Sequence, residues 1–199
     1  EARIEHASST ISRHGNLTLI ESYPISIQWP PPWRDTQPSV SECREEVRRS
    51  LGVSDDHLIG LGVDRQDYTK GILERFRAVE SMLETHPGMR GRFTFVQIAA
   101  PTRSVLEDYQ LFEDQVRNLA ARINKRFSTG LWEPICLKAQ HHEPEEVNRY
   151  YRAADVCMVT SLHDGMNLVA KEFVAARDDD QGVLVLSQFT GAAHELHES

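Results

Sequence analysis

From residue 58 onward, short apolar runs alternate with stretches of helical periodicity. The apolar runs are HLIGLGV, RFTFVQIA, PICLKA, DVCMVT and GVLVLS, and each has the length of one strand. CMVT and GVLVLS are apolar at consecutive positions, as strands are when helices cover both faces of a parallel sheet. The pattern predicts an α/β fold built on a doubly wound parallel sheet.

The stretches between these runs have apolar residues at helical spacing. The first helix is predicted from Ile72, Phe76, Val79 and Leu83 and should end at Pro87-Gly88. Further helices are predicted across residues 105–123, across about 144–154, from about Leu168, and as a short start near Gly191. Strands and helices therefore alternate, as a parallel sheet requires.

The first third of the chain has a different pattern. Residues 1–16 show little periodicity and are expected to be a frayed end or part of an incomplete element. Residues 17–29 read as a strand broken by Pro24, before the stiff turn Pro30-Pro31-Pro32. Residues 39–51 are predicted to be helical, with Ser41 as the cap. We expect residues 1–37 to be the tail of another domain plus a linker, and residues 38–199 to form the sheet domain.

Composition narrows the classes of function. With 40% apolar residues the 199-residue chain can bury a core, and its net charge of −8 argues against nucleic acid as the main partner. No apolar stretch is long enough to span a membrane. Cys43, Cys136 and Cys157 are far apart, which predicts free thiols and a reducing compartment, the cytoplasm.

Two polar loops carry the candidate chemistry. GVDRQDYTKG leaves the first strand with Arg65 and Lys70, and HDGMNLVAKE leaves the fourth strand and begins a helix at Asn167. Loops that leave the carboxyl ends of parallel strands share one edge of the sheet. Two cations would then face a helix N-terminus, which suits a diphosphate. Cations at a helix start oppose the helix dipole, so local stability explains them poorly.

Glu172 lies about 7.5 Å along the helix from Asn167, within reach of hydroxyl groups on a ligand whose phosphate sits at the helix tip. The simpler interpretation is that Asp164 and Asn167 only cap the helix and that Glu172 is exposed. From these residues alone, both interpretations stay open.

Several apparent metal or nucleotide motifs are set aside. Asp178-Asp179-Asp180 falls in a helix-to-strand loop, at the edge opposite the polar loops, and reads as a solvated turn. His141-His142-Glu143 is too short a ligand set, and the histidines of His194-Glu195-Leu196-His197 are three residues apart, unlike those of HExxH. Gly60-Leu61-Gly62 is only a fragment of a dinucleotide fingerprint. No metal site is predicted.

The motifs GVDRQDYTKGILERF, QIAAPTRS, DVCMVTSLHDGMNLVAKEFVAA and GVLVLSQFTGAAHEL together closely resemble the trehalose-6-phosphate synthase family. The resemblance covers about residues 58–197. It implies a retaining GT-B glycosyltransferase with two Rossmann-like domains, of which this chain would contain the C-terminal, donor-binding one.

The resemblance also implies roles for individual residues. Arg65 and Lys70 would grip the donor diphosphate, and Asp164 would hold glucose hydroxyls. The remaining implied contacts are the backbone of Gly165, Met166, Asn167, Leu168 and Val169 to glucose and diphosphate, Glu172 to ribose, Gln140 and His141 to the base, and Arg103 to the acceptor phosphate.

The implied reaction moves glucose from a nucleotide glucose, with UDP-glucose expected, to glucose 6-phosphate with retention. The cations take the place of a metal, and no cofactor is expected. The expected partners are the small-molecule substrates and the N-terminal acceptor domain of the same full-length chain, without which the chain is expected to be inactive. Homo-oligomer formation is left open.

Two other functions are compatible with the same donor site. One is a sister enzyme with a different acceptor, such as a glucosylglycerol-phosphate synthase. The other is a non-catalytic sugar-phosphate sensor, which should have lost donor residues; Arg65, Lys70, Asp164 and Glu172 are all present.

Overall fold

The structure, a computed structural model, describes residues 2–101 and 107–197. It begins with a small antiparallel sheet of strands β1 (Ala2–Glu5), β2 (Thr10–Arg13) and β3 (Asn16–Leu19). None of these strand residues is buried, so neither face carries the alternation that marks a half-buried strand. This explains why residues 1–16 showed no periodicity.

The strand predicted for residues 17–29 is wrong beyond Leu19. Residues 20–39 contain no helix or strand. Pro24 has no amide hydrogen to donate to a ladder, and the following segment is held by a side chain instead. The Lys171 ammonium lies 3.2 Å from the carbonyl oxygen of Ile25 and 3.3 Å from Ser26 Oγ. The domain boundary predicted after residue 37 stays a prediction.

Helix α1 (Val40–Leu51) follows, and its cap is Ser39, not the predicted Ser41. Ser39 Oγ accepts from the Glu42 amide at 3.3 Å, and the Glu42 carboxylate accepts from the Ser39 amide at 2.8 Å. This reciprocal capping box needs an acidic residue three positions after the cap; Glu42 is at that position for Ser39, whereas Arg44 is at that position for Ser41.

The predicted parallel sheet is present with all five strands. They are β4 (Leu58–Arg65), β5 (Phe93–Ala100), β6 (Ile135–Lys138), β7 (Val156–Val159) and β8 (Val183–Leu186). Their order in the sheet is β6-β5-β4-β7-β8, and each neighbouring pair is parallel. The chain therefore proceeds outward from β4 in one direction and then outward from β7 in the other, so the strand order reverses between these two strands.

Helices cover both faces of the sheet. On one face pack α2 (Ile72–Thr85) and α3 (Glu107–Phe127), in a core that includes Phe76, Phe95 and Ile123. On the other pack α1, α4 (Pro144–Ala153) and α5 (Leu168–Ala176). The apolar faces of these helices account for the periodicity seen in the sequence. Among the described helices, none is long and apolar enough to cross a membrane.

Strand β8 departs from the expectation of burial on both faces. It lies at the edge of the sheet, and Val183 and Val185 are 58% and 41% exposed. An apolar run alone cannot distinguish an edge strand from a central one, because it does not show whether a neighbour covers each face.

Candidate functional site

The loops that leave β4 and β7 meet where the strand order reverses. The Leu162 amide donates to the Thr69 carbonyl at 2.7 Å, which joins the two loops. Gly71 has a φ of +68°, and a Cβ at this position would lie 2.2 Å from the Thr160 carbonyl oxygen. Only glycine permits this conformation and this approach of two backbones.

The Lys70 and Asp164 side chains form an ion pair across this junction. Lys70 Nζ lies 2.6 Å from Asp164 Oδ2, and each side chain is 15% exposed. Asn167 also donates to the same carboxylate at 3.1 Å. Partial burial works to raise the pKa of Asp164, but the hydrogen bonds from Lys70 and Asn167 outweigh it, and the pKa lies below its ordinary value. The pair places a cation beside the start of α5.

Asn167 caps α5, as the sequence suggested. Its side chain accepts from the Ala170 amide at 3.1 Å, and its φ of +71° turns the chain into the helix. The amides of Leu168 and Val169, in the first turn, have no partner within the described part of the chain. Free amides at the positive end of a helix form an anion site.

The loop after β8 fixes the second polar loop from the far side. The Ala192 amide donates to the Met166 carbonyl at 2.7 Å, and the Gly191 amide donates to the Asp164 carbonyl at 3.1 Å. A Cβ on Gly191 would lie 2.1 Å from the Gly165 carbonyl oxygen. The backbone around Asp164 is thus held on both sides by other parts of the chain.

One cleft, of about 1280 Å³, brings most of the predicted residues together. Arg65 ends β4 and is exposed, and its guanidinium has no hydrogen-bonding or ionic partner among residues 2–101 and 107–197. The predicted residues that line the cleft are Arg65, Lys70, His141, Asp164, Gly165, Met166, Asn167, Leu168, Val169 and Glu172. An unpaired guanidinium and the free amides of α5 therefore face the same space.

Glu172 is partly buried rather than exposed. Its carboxylate accepts a hydrogen bond of 2.9 Å from the Tyr151 hydroxyl. Tyr151 is 4% exposed, and burial, with the nearby Glu172 charge, raises its pKa well above the ordinary value. A neutral tyrosine thus orients the carboxylate in the cleft wall. Sequence reasoning missed Tyr151, although a tyrosine pair on the apolar face of a helix signals a buried hydroxyl that needs a partner.

Of the two remaining predicted site residues, Gln140 and Arg103, the structure describes Gln140 alone. Gln140 is exposed and is not among the residues that line the cleft. Arg103 lies outside the described residues. Their roles stay predictions. The segment 22–25, read as part of a strand, instead forms a wall of the cleft.

The Asp178-Asp179-Asp180 run lies between α5 and β8, at the opposite edge of the sheet, as predicted. Asp178 and Asp180 are exposed, as predicted for a solvated turn, although Asp178 pairs with Arg152 at 2.8 Å. Asp179 is half-buried and pairs with Arg177 at 2.9 Å. Within the described residues, no group of three or more His, Cys, Asp or Glu side chains is arranged to hold a metal ion.

Comparison with known sequences identifies relatives of this chain. The sequence model of glycosyltransferase family 20 matches residues 1–199. The trehalose-6-phosphate synthase of Enterobacter sp. (strain 638) is 40% identical over 196 residues, covering 96% of this chain and 40% of the relative. That of Sodalis glossinidius (strain morsitans) is 38% identical over 192 residues, covering 94% and 39%. The chain thus spans about two fifths of the length of these relatives.

Solved structures agree with the sequence match. The alpha,alpha-trehalose-phosphate synthase (UDP-forming) of Burkholderia vietnamiensis has a TM-score of 0.82 and 39% identity, covering 97% of this chain and 42% of that chain. The Burkholderia xenovorans enzyme in complex with glucose-6-phosphate has a TM-score of 0.80 and 38% identity, covering 94% and 41%. These matches confirm the predicted Rossmann-like GT-B fold class. The chain belongs to glycosyltransferase family 20.

Proposed function

We propose that this chain supplies the donor site of a trehalose-6-phosphate synthase. The enzyme would transfer glucose with retention from UDP-glucose to the anomeric oxygen of glucose 6-phosphate. The observation that carries the proposal is the convergence of Arg65, Lys70 and the free amides of Leu168 and Val169 on one cleft. The names of its relatives, UDP-forming synthases that include one in complex with glucose-6-phosphate, support the choice of donor and acceptor.

The proposed chemistry follows from where charge develops. As the bond between glucose and the nucleotide breaks, its electron pair passes to the β-phosphate oxygen, which gains negative charge. The proton of the acceptor hydroxyl goes to the departing phosphate, and the acceptor oxygen forms the new glycosidic bond. Arg65, Lys70 and the α5 amides would bind the departing diphosphate more tightly than the intact donor, which lowers the barrier.

The Lys70–Asp164 pair has a further consequence for this proposal. At 2.6 Å the two side chains neutralise each other, so a diphosphate must draw Lys70 toward itself to be stabilised by it. Asp164 then loses a donor and becomes an acceptor for a sugar hydroxyl. Diphosphate and sugar would therefore bind cooperatively, because each takes one partner of the pair.

Cationic side chains would take the role of a metal at the diphosphate, and no cofactor is proposed. The acceptor would be held by the N-terminal domain of the full-length protein. The free thiols Cys43 and Cys157 are buried, which fits our proposal that the enzyme works in the cytoplasm.

Calorimetric titration of the chain with UDP, then with UDP-, GDP- and ADP-glucose, tests the donor site. We expect UDP to bind, and UDP-glucose to bind more tightly than the other two sugar nucleotides. A flat UDP titration on well-folded protein would contradict the proposal. Product analysis of the full-length protein with glucose 6-phosphate or glycerol 3-phosphate as acceptor tests the rest.

A further inference from the structure

A buried guanidinium lies directly beneath the junction of the two polar loops. Arg75, in the first turn of α2, is 1% exposed. Its Nη2 donates to Asp64 Oδ2 at 2.6 Å and to the Lys70 carbonyl at 2.7 Å. Its Nη1 donates to Gln97 Oε1 and to the Met158 carbonyl, each at 3.1 Å. One side chain thus contacts strands β4, β5 and β7 and the first polar loop.

The stability of the core does not explain why the Arg75 guanidinium is buried. Arg75 interrupts the apolar face on which Ile72, Phe76 and Val79 are buried. Burial of an ion pair removes two charges from water, and apolar residues of similar volume often give equal or greater stability. The Arg75–Asp64 pair therefore calls for a reason other than packing.

The two carbonyl groups that Arg75 binds provide that reason. One belongs to Lys70 itself, and the other belongs to Met158 in β7, the strand that leads into the loop carrying Asp164. A planar guanidinium with fixed donor directions sets the distance between two backbones more strictly than an apolar side chain can. The Lys70 and Asp164 side chains then meet at 2.6 Å above it.

We propose that Arg75 is a positioning residue that fixes the two loops of the donor site relative to each other. Its role as a determinant of donor binding rests on the proposed function. The effect on the Lys70–Asp164 geometry does not, and it can be measured without any ligand.

Strand β4 offers a matched pair of variants. A Cβ on Gly62 would lie 2.2 Å from Arg75 Nη1 and 2.5 Å from Gln97 Oε1. A Cβ on Gly60 would lie 2.6 Å from the Phe93 ring, in the apolar core. Gly62→Ala therefore displaces the guanidinium, whereas Gly60→Ala overpacks the same strand and leaves Arg75 in place.

The first measurement is the pKa of the Asp164 carboxyl, from carbon-13 NMR titration of the chain. In the parent chain, and in Gly60→Ala, Lys70 holds this pKa below its ordinary value; in Gly62→Ala we expect it to rise. The second is UDP affinity, which Gly62→Ala should lower about a hundredfold, as small misplacements of binding groups do. If the two variants give the same pKa and the same affinity, the positioning role is wrong.

A double variant distinguishes loss of the positioning role from loss of the fold. Arg75→Met combined with Asp64→Leu replaces the pair by apolar groups, and Gln97 Nε2 keeps its 3.0 Å bond to the Ile98 carbonyl. We expect the double variant to fold with a lowered thermal midpoint, because the Lys70 and Met158 carbonyls lose their donor, and with a raised Asp164 pKa. A folded double variant with a parental Asp164 pKa overturns the inference.

The two proposals fail in different ways. If the parent chain binds no UDP while Gly62→Ala still raises the Asp164 pKa, the proposed function is wrong and the positioning role stands. If the parent chain binds UDP, and Gly62→Ala binds it as tightly with an unchanged Asp164 pKa, only the positioning role is wrong.

Discussion

The amino ends and the carboxyl ends of the parallel strands form two edges of the sheet. Both edges are rich in charged residues, but these residues have different partners. At the amino-terminal edge, where α5 is followed by the loop to β8, Arg177 donates to three carbonyls at the end of α4 and pairs with Asp179 at 2.9 Å. At the opposite edge, Arg65 has no partner within the described residues, and two amides of α5 are free. Charge that is satisfied stabilises the fold, whereas charge left unsatisfied around a cleft is available to a ligand. Polarity alone does not mark the site.

Among the variants that test this contrast between the two edges, Arg65→Ala should have the largest effect. The Arg65 side chain is exposed and has no hydrogen-bonding or ionic partner among the described residues, so its truncation should leave the fold intact. Turnover of the full-length enzyme should fall about a hundredfold, the usual cost of removing one charged group from a developing oxyanion. Steady-state kinetics and thermal unfolding measure the two effects.

Arg77→Ala is the matched control, because Arg77 is an exposed arginine on α2 whose partner is Glu74 at 3.0 Å. A surface pair of this kind contributes little, so this variant should change neither turnover nor stability noticeably. Unchanged turnover in Arg65→Ala would remove Arg65 from the mechanism.

Arg177→Ala should have the opposite profile. Removal of this side chain leaves the carbonyls of Tyr151, Arg152 and Ala154 without a donor in a largely buried setting. The free energy of unfolding should fall by about 2 to 3 kcal/mol, measured by urea denaturation. UDP affinity, measured by calorimetry below the unfolding transition, should not change. A loss of UDP affinity without loss of stability would show that the two edges are not separate in function.

Two glycines with the same backbone conformation sharpen the contrast further. Gly71 and Gly52 have φ angles of +68° and +66°, but a Cβ on Gly52 would meet nothing within 4 Å. Gly52→Ala should therefore cost only the left-handed strain, about 1 kcal/mol. Gly71→Ala adds a clash with the Thr160 backbone, so it should cost more and should also weaken UDP binding. Equal costs in urea denaturation would mean that the approach of the two loops is not tight.

The outline of the fold was readable from the sequence because burial imposes its pattern on the chain. Strands β4 to β7 and the helices between them contain buried residues, and β8 packs the half-buried Leu184 and Leu186 against the core, which leaves apolar runs and helical spacing. The small sheet β1–β3 has no buried residue and so left no such pattern. The edge position of β8 was also hidden, because it depends on which neighbours are present.

The candidate site was only partly readable, for a related reason. The rule that strand ends share an edge brought Arg65, Lys70 and Asn167 together correctly. It could not show that Lys70 would pair with Asp164, 94 positions away, or that Tyr151 would hold Glu172. Such contacts depend on side-chain directions that no local spacing encodes. Arg75 did leave a signal, a cation inside an apolar helical face, but it lies on a helix and not in a loop at a strand end.

The smallest expected effect is the dependence of stability on pH, where both edges should behave alike. Partial burial opposes ionisation of Asp164 and of Asp179, but hydrogen bonds from Lys70 and Asn167 in one case, and from Arg177 in the other, lower each pKa. A lowered pKa stabilises the fold above the unfolded value, about pH 4, and this contribution disappears as pH falls through the folded value. Asp164→Asn and Asp179→Asn should each reduce the loss of thermal stability between neutral pH and pH 3.

UDP binding should distinguish Asp164 from Asp179, which the pH dependence of stability cannot do. Because UDP would compete with Asp164 for Lys70, Asp164→Asn should alter the UDP affinity and the dependence of that affinity on pH. Calorimetry from pH 7 down to the lowest pH at which the chain stays folded measures both. Asp179→Asn should leave that profile unchanged, since its partner Arg177 lies at the other edge. If the two variants shift UDP binding equally, the Lys70–Asp164 pair is a structural contact like that of Arg177, and the distinction between the edges rests on Arg65 and the α5 amides alone.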